Sequence, residues 1–153
     1  MAQTIPAMAE QNLVLDDLFS GTFQSVLRIE EQALDNRLTA GLSMSDIHTI
    51  TAIGLYEQNS MSVVAERLEV TLATLTSAVK KLERLGYVHR ERSEEDRRQV
   101  LISLTAKGRK AYHAHRLFHE KMIAAALEGL TPEEQQVLAR ALASVKGFFD
   151  SGR

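Results

Sequence analysis

Residues 60–104 read SMSVVAERLEVTLATLTSAVKKLERLGYVHRERSEEDRRQVLISL, and the order of patterns within them decides the fold. Ser60 is a natural N-cap for a short helix ending near Leu68, with Val64 and Leu68 facing inward. The turn LEVT follows, with Val70 expected to be buried and Thr71 capping the next helix. In that helix, which runs to Leu85, the residues Leu72, Leu75, Val79, Leu82 and Leu85 recur at three- and four-residue spacing and form one apolar face. Gly86 sits where a helix C′ residue with positive φ belongs. YVHRER and QVLISL then alternate as strands do, with Val100, Ile102 and Leu104 on one side, and SEEDRR forms a polar tip between them.

Helix, tight turn, helix and hairpin is the layout of a winged helix-turn-helix. The flanks read as helix. Residues 1 to about 11 are small and polar, a frayed arm. From Asn12 to about Leu38, Leu15, Leu18, Phe19, Thr22, Val26 and Ile29 share a face that Leu13, Phe23, Leu27 and Leu34 widen. That arc is too broad for one small core and points to a second subunit. Gly41 breaks the pattern; Ser43 or Ser45 caps a helix expected to reach Gln58, with Ile47, Ile50, Ile53 and Leu55 inward. Thr105 opens a long helix to about Glu128. In GLTPEEQ, Thr131, Pro132 and Glu134 make a capping box ahead of a last helix bearing Val137, Leu138, Ala141, Leu142, Val145, Phe148 and Phe149. The expected fold is mainly α with a small antiparallel β-hairpin wing. It is one module over residues 1–153, with a winged helix-turn-helix at 43–104 and dimerisation helices at 12–38 and 105–150.

The 153 residues carry a formal charge of −2, but the charge is unevenly placed. Between Lys80 and Lys110 ten Lys/Arg stand against five Asp/Glu, so this segment is +5 and the remainder −7. A basic face on an acidic body suits phosphate better than general stickiness. With no cysteine there is no disulfide, thiolate metal site or thiol sensor. No apolar run approaches bilayer length and the first ten residues lack a signal-peptide pattern, which points to the cytoplasm and away from membranes. No phosphate-binding glycine loop or nucleophile elbow is present, so no enzyme is expected.

The exposed face of the second helix would enter a DNA major groove, with short hydroxyls early and basic residues later. The expected contacts with double-stranded DNA are Thr71, Ala73, Thr74, Thr76, Ser77, Lys80, Lys81 and Arg84, joined from the wing by Arg92, Asp96, Arg97 and Arg98. The arginines at the tip suit a narrow minor groove, and Asp96 would direct one of them.

The stretch LERLGYVHRERSEEDRRQVLISLTAKGR, Leu82 to Arg109, resembles the wing motif of the MarR family of winged-helix repressors. The resemblance covers nearly the whole chain. It implies an obligate homodimer built from the first and last two helices, bound to a pseudo-palindromic operator, with a wing aspartate–arginine pair at Asp96 and Arg98. VLRIEEQAL, HTITAIG and the recognition stretch look most like the fatty-acid-synthesis repressors of FabT type, which implies acyl-acyl carrier protein as corepressor. A repressor answering to a phenolic or lipophilic molecule or to zinc remains an alternative, as does a winged-helix adaptor that does not touch DNA. A hydroperoxide sensor would need a reactive cysteine, which is lacking. The effector is expected near Arg28, Glu31, His48, Ile50, His115 and His119. Of these, His115 and His119 share a helix face. The histidines are read as lining a helix junction, with no cofactor and no resident metal. Zinc, with Glu30 as a further possible ligand, is the minority reading.

Overall fold

The computed structural model describes residues 8–33, 39 and 41–152. These described residues form six helices and one small sheet: α1 Met8–Ala33, α2 Met44–Ile53, β1 Asn59–Ser60, α3 Met61–Arg67, α4 Leu72–Arg84, β2 Val88–Arg92, β3 Val100–Leu104, α5 Ala106–Leu127 and α6 Pro132–Asp150. The chain divides into two compact units, residues 1–115 and 116–153. The first helix begins earlier than the sequence suggested, at Met8, so residues 8–11 are helix and not a frayed arm. Residues 1–7 of that arm, and the expected stretch of helix over 34–38, lie outside the described residues.

The core belongs to the winged-helix unit. Leu42, Ile47, Ile50, Ile53, Val64, Ala65, Leu75, Val79, Leu82, Tyr87, Val88, Ile102, Leu104 and Ala111 pack as one buried cluster. Each large side chain fully buried there contributes roughly 1.5–3 kcal/mol. The α4 face is narrower than its leucine spacing implied: Leu75, Val79 and Leu82 are buried, but Leu72 is 51% exposed. Leu72 is the first residue of the helix, with no preceding turn to pack over it. Val70, expected inside, is also on the surface, because Glu69 takes a left-handed φ of 53° and turns the chain outward before α4 begins.

Two boundaries differ from the sequence reading. The second helix stops at Ile53 and not at Gln58, because Gly54 adopts φ 89° and leaves the helical path. Asn59 then closes the loop, donating to the Ile53 carbonyl at 2.9 Å and to Glu57 at 2.8 Å. Glu57 also receives Arg67 at 3.2 Å. The sheet has three strands and not two: β1 pairs antiparallel with β3, in the order β1-β3-β2.

The wing is tied to α5 by a backbone lock. Thr105 donates its N–H to the Tyr87 carbonyl at 3.0 Å and its hydroxyl to Gly86 at 2.6 Å, and it accepts the Gly108 N–H at 3.1 Å. A Cβ on Gly108 would lie 2.1 Å from the Tyr87 oxygen, so only glycine allows this approach. The L-T-x-K-G-R string is thus the joint between hairpin and helix. In the second unit the capping box forms as expected, with Thr131 accepting from Glu134 and Glu134 from Thr131.

Candidate nucleic-acid interface

Thr71 has the extended backbone of an N-cap, and its Oγ1 accepts the Thr74 N–H at 3.2 Å and meets the Thr74 hydroxyl at 2.9 Å. This satisfies an orphan N–H and aims the first turn of α4 outward. Ala73, Thr74, Ser77, Lys80 and Arg84 are exposed along one side of the helix. Thr76 is half-buried and donates to the Leu72 carbonyl at 2.7 Å; Ser77 donates to Ala73 at 3.3 Å. Both hydroxyl oxygens keep acceptor capacity for an outside donor.

Lys81 differs from the sequence reading. Its ammonium is paired with the buried Asp46 carboxylate at the start of α2. Asp46 also accepts the Ser43 N–H at 2.7 Å and the Ser43 hydroxyl at 2.9 Å, completing a capping box. Burial alone would raise the Asp46 pKa; the bonds from Lys81 and Ser43, with the Lys81 charge, outweigh it and hold the group below its ordinary value. Lys81 therefore holds the recognition helix to α2 in the DNA-free chain.

The remaining cations sort in the same way. Arg90 pairs with Glu83 at 3.3 Å. Lys107 donates to the Leu85 carbonyl at 2.8 Å and Arg109 to Leu104 at 2.9 Å. Among the described residues, Lys80, Arg84, Arg92, Arg97 and Arg98 enter no ion pair, and all five are exposed. Lys110, early in α5, is likewise exposed and outside any ion pair among the described residues, so the recognition helix and the wing carry five of the six uncommitted cations of the run.

At the wing tip, Ser93 donates its N–H to the Gln99 carbonyl at 3.0 Å, and the Ser93 hydroxyl accepts the Asp96 N–H at 3.2 Å. The Asp96 carboxylate accepts the Arg98 backbone N–H at 3.0 Å. Asp96 therefore directs Arg98 by folding the backbone beneath it, as an Asx turn does, and not by gripping its guanidinium. Arg98 lines a cleft of about 380 Å³ between the wing and the start of α3 and α4, with Arg90, Thr76, Leu72 and Gln99 also on its walls. Arg90 and Gln99 were not singled out in the sequence. Arg90 sits on a strand whose alternation predicts only a face, and the cleft is formed by elements far apart in the chain.

The expected effector residues do not gather as foreseen. Ile50 is fully buried in the core, while Arg28 and Glu31 are exposed. Glu30, the neighbour of Glu31, is the buried carboxylate, and it lies with His48 and His115. The His48 and His115 rings stand edge to face, 6.1 Å apart. His119, farther along α5, is half-buried.

The chain matches the family described as transcriptional regulator SarA/Rot over residues 37–115. It is similar to the crystal structure of Streptococcus pneumoniae FabT in complex with DNA, with 34% identity, a TM-score of 0.84, and 93% of this chain and 99% of that one covered. It shares its fold with a MarR mutant from Escherichia coli complexed with operator DNA, at 21% identity and a TM-score of 0.65 over 92% of this chain and 99% of that one. YhjH of Bacillus subtilis, an uncharacterised HTH-type transcriptional regulator, is 28% identical over 67% of this chain, and the match spans 60% of that protein's length. Among the described residues no helix is long and apolar enough to cross a membrane. With its recognition helix, its arginine-tipped wing and these likenesses, the chain belongs to the MarR family of winged helix-turn-helix transcriptional regulators.

Proposed function

We propose that the chain is a homodimeric repressor that binds a pseudo-palindromic operator, with α4 in the major groove and the wing in the adjacent minor groove. The carrying observation is the sorting of cations, in which Lys80, Arg84, Arg92, Arg97 and Arg98 stay exposed while neighbouring cations are internally committed. Thr74, Ser77 and Ala73 present a short reading surface at the start of α4, where a recognition helix meets base edges. Lys80 and Arg84, one to two turns on, meet phosphates and set register. Arg97 and Arg98 enter the minor groove, where narrow A·T-rich tracts concentrate negative potential.

A second copy is the partner that the outer helices fit. Leu13, Leu18, Phe23 and Leu27 of α1 and Val137, Leu142, Phe148 and Phe149 of α6 are all more than half exposed in the single chain. Apolar surface of that extent marks an interaction face. Two-fold pairing would offer two recognition helices to half-sites about one DNA turn, roughly 34 Å, apart.

The likeness to FabT supports genes of fatty-acid synthesis as the target, with acyl carrier protein bearing a long acyl chain as corepressor. Selection of a random duplex library by the purified chain tests the reading. It predicts an inverted repeat held by two chains per duplex and bound tighter when acylated carrier protein is added. A selected site without two-fold symmetry would contradict the dimer geometry. Tightening absent with acylated carrier protein would contradict the corepressor.

A further inference from the structure

The recognition helix is held by its far end. Among the described residues, the hydroxyls at its start, on Thr71, Thr74, Thr76 and Ser77, bond only within the helix and its cap. Its last turn is tied to other elements. The Lys81 ammonium pairs with the buried Asp46 of α2. Glu83 pairs at 3.3 Å with Arg90 of β2, the first strand of the wing. Just past the helix, Lys107 of α5 donates to the Leu85 carbonyl at 2.8 Å, and Thr105 donates to the Gly86 carbonyl at 2.6 Å.

Lys81 and Glu83 are two residues apart, so they leave α4 in directions about 200° apart. One ion pair restrains the helix from the side of α2 and the other from the side of the wing. Thr74 lies about 10 Å along the axis from Lys81, at roughly 1.5 Å per residue. A tilt of about 10° at the clamped end therefore moves the reading end by about 2 Å. A hydrogen bond to a base edge tolerates about half an ångström.

We infer, on the DNA-binding reading above, that Asp46 and Glu83 are positioning residues for base reading: through Lys81 and Arg90 they fix the tilt of α4 between α2 and the wing, without touching DNA. The sign of the effect separates this role from plain electrostatics. Neutralising a carboxylate in a DNA-binding unit removes repulsion from phosphate, so charge alone tightens binding to every sequence. Neutralising Asp46 would also free Lys81 for phosphate and add to that tightening. A lost clamp acts in the opposite direction. It weakens binding only to the matched sequence, where base contacts depend on the angle of the helix.

The test uses the full chain and measures Kd by fluorescence anisotropy for the selected duplex and for one with its half-site bases scrambled. Asp46→Gln preserves the Ser-x-x-Gln form of the capping box with Ser43 while removing the charge that faces Lys81. Glu83→Gln changes a half-exposed residue. Circular dichroism and stoichiometric titration establish that each variant is folded and active. Each acid variant should bind the selected duplex about tenfold more weakly and the scrambled one within twofold of the unaltered chain, so that discrimination falls at least fivefold. Lys81→Met should match Asp46→Gln and leave the log–log salt slope unchanged, and it decides that arm if Asp46→Gln fails to fold. Lys80→Met, at an exposed cation outside any ion pair, should instead lower the slope by about 2 in a two-fold dimer. An acid variant that holds the selected duplex as tightly as the unaltered chain, or that weakens both duplexes alike, overturns the positioning role of that acid. A slope lowered as much by Lys81→Met as by Lys80→Met makes Lys81 a phosphate contact and overturns the role of Asp46. An unaltered chain that selects no duplex overturns the DNA reading itself, and the positioning role with it.

Discussion

Replacing Asp46 by Asn removes one charge from the point where three contacts converge. The carboxylate receives the Ser43 N–H at 2.7 Å, the Ser43 hydroxyl at 2.9 Å and the Lys81 ammonium. Loss of a capping interaction typically costs about 1 kcal/mol. A hydrogen bond to a charged partner contributes about 1.5–3 kcal/mol. Lys81 is 37% exposed and rehydrates when abandoned, so the lower end applies, and relief of the Asp46 desolvation offsets part of it. The expected loss is about 2 kcal/mol, or a fall in Tm of about 4–8 °C for a chain of this size. Urea unfolding of Asp46→Asn, Lys81→Met and the double variant should give a coupling of about 1 kcal/mol. The pH sign follows from the lowered pKa of Asp46. Its contribution is present above the ordinary aspartate value of 3.8 and is lost as pH falls through the lower folded value. The unaltered chain should therefore lose more stability than Asp46→Asn on acidification from pH 5 to pH 2. Additive single variants, or parallel acid profiles, would refute the anchoring role and return Lys81 to the DNA surface.

Gly108→Ala should destabilise the winged-helix unit by about 3 kcal/mol, because the new methyl would sit 2.1 Å from the Tyr87 carbonyl oxygen. Denaturant midpoints measure this, and an unchanged midpoint would mean that α5 does not meet the wing as described. Thr131→Ala removes the cap of α6 and should cost about 1 kcal/mol, with faster amide exchange in the first turn of that helix as the local signature. Protection unchanged over Pro132–Gln135 would count against the cap.

What local chemistry governs is legible in the sequence. Ser60, Thr71 and Thr131 cap the helices they were expected to cap, and Gly86 takes φ 81° after α4, because each signal acts within a few residues. The strands β2 and β3 followed from alternation, with Ile102 and Leu104 buried as expected. What escaped depends on residues far apart. Strand β1 has two residues, too few for any periodicity, and exists only because β3 is beside it. The pairing of Lys81 with Asp46 spans 35 positions, so the basic run looked uniformly available for phosphate. Gly54 is a single glycine after an apolar helix, and its positive φ cuts α2 short where the polar EQNS suggested a later end. Glu30 and Glu31 differ by about 100° around one helix. The apolar arc of α1 was too wide to say which of them pointed inward.

Joint binding of DNA by α4 and the wing can be checked by measuring Kd for the selected duplex as a function of salt, for the unaltered chain and for Arg98→Ala. Arg98 is exposed and sits over the Asp96 turn, so its removal should spare the fold. Arg98→Ala should bind more weakly, with a log–log salt slope smaller by about 1 for each arginine lost from the DNA, hence by about 2 in a two-fold dimer. An Arg98→Ala chain with unaltered affinity and slope would contradict the assignment of the wing to DNA.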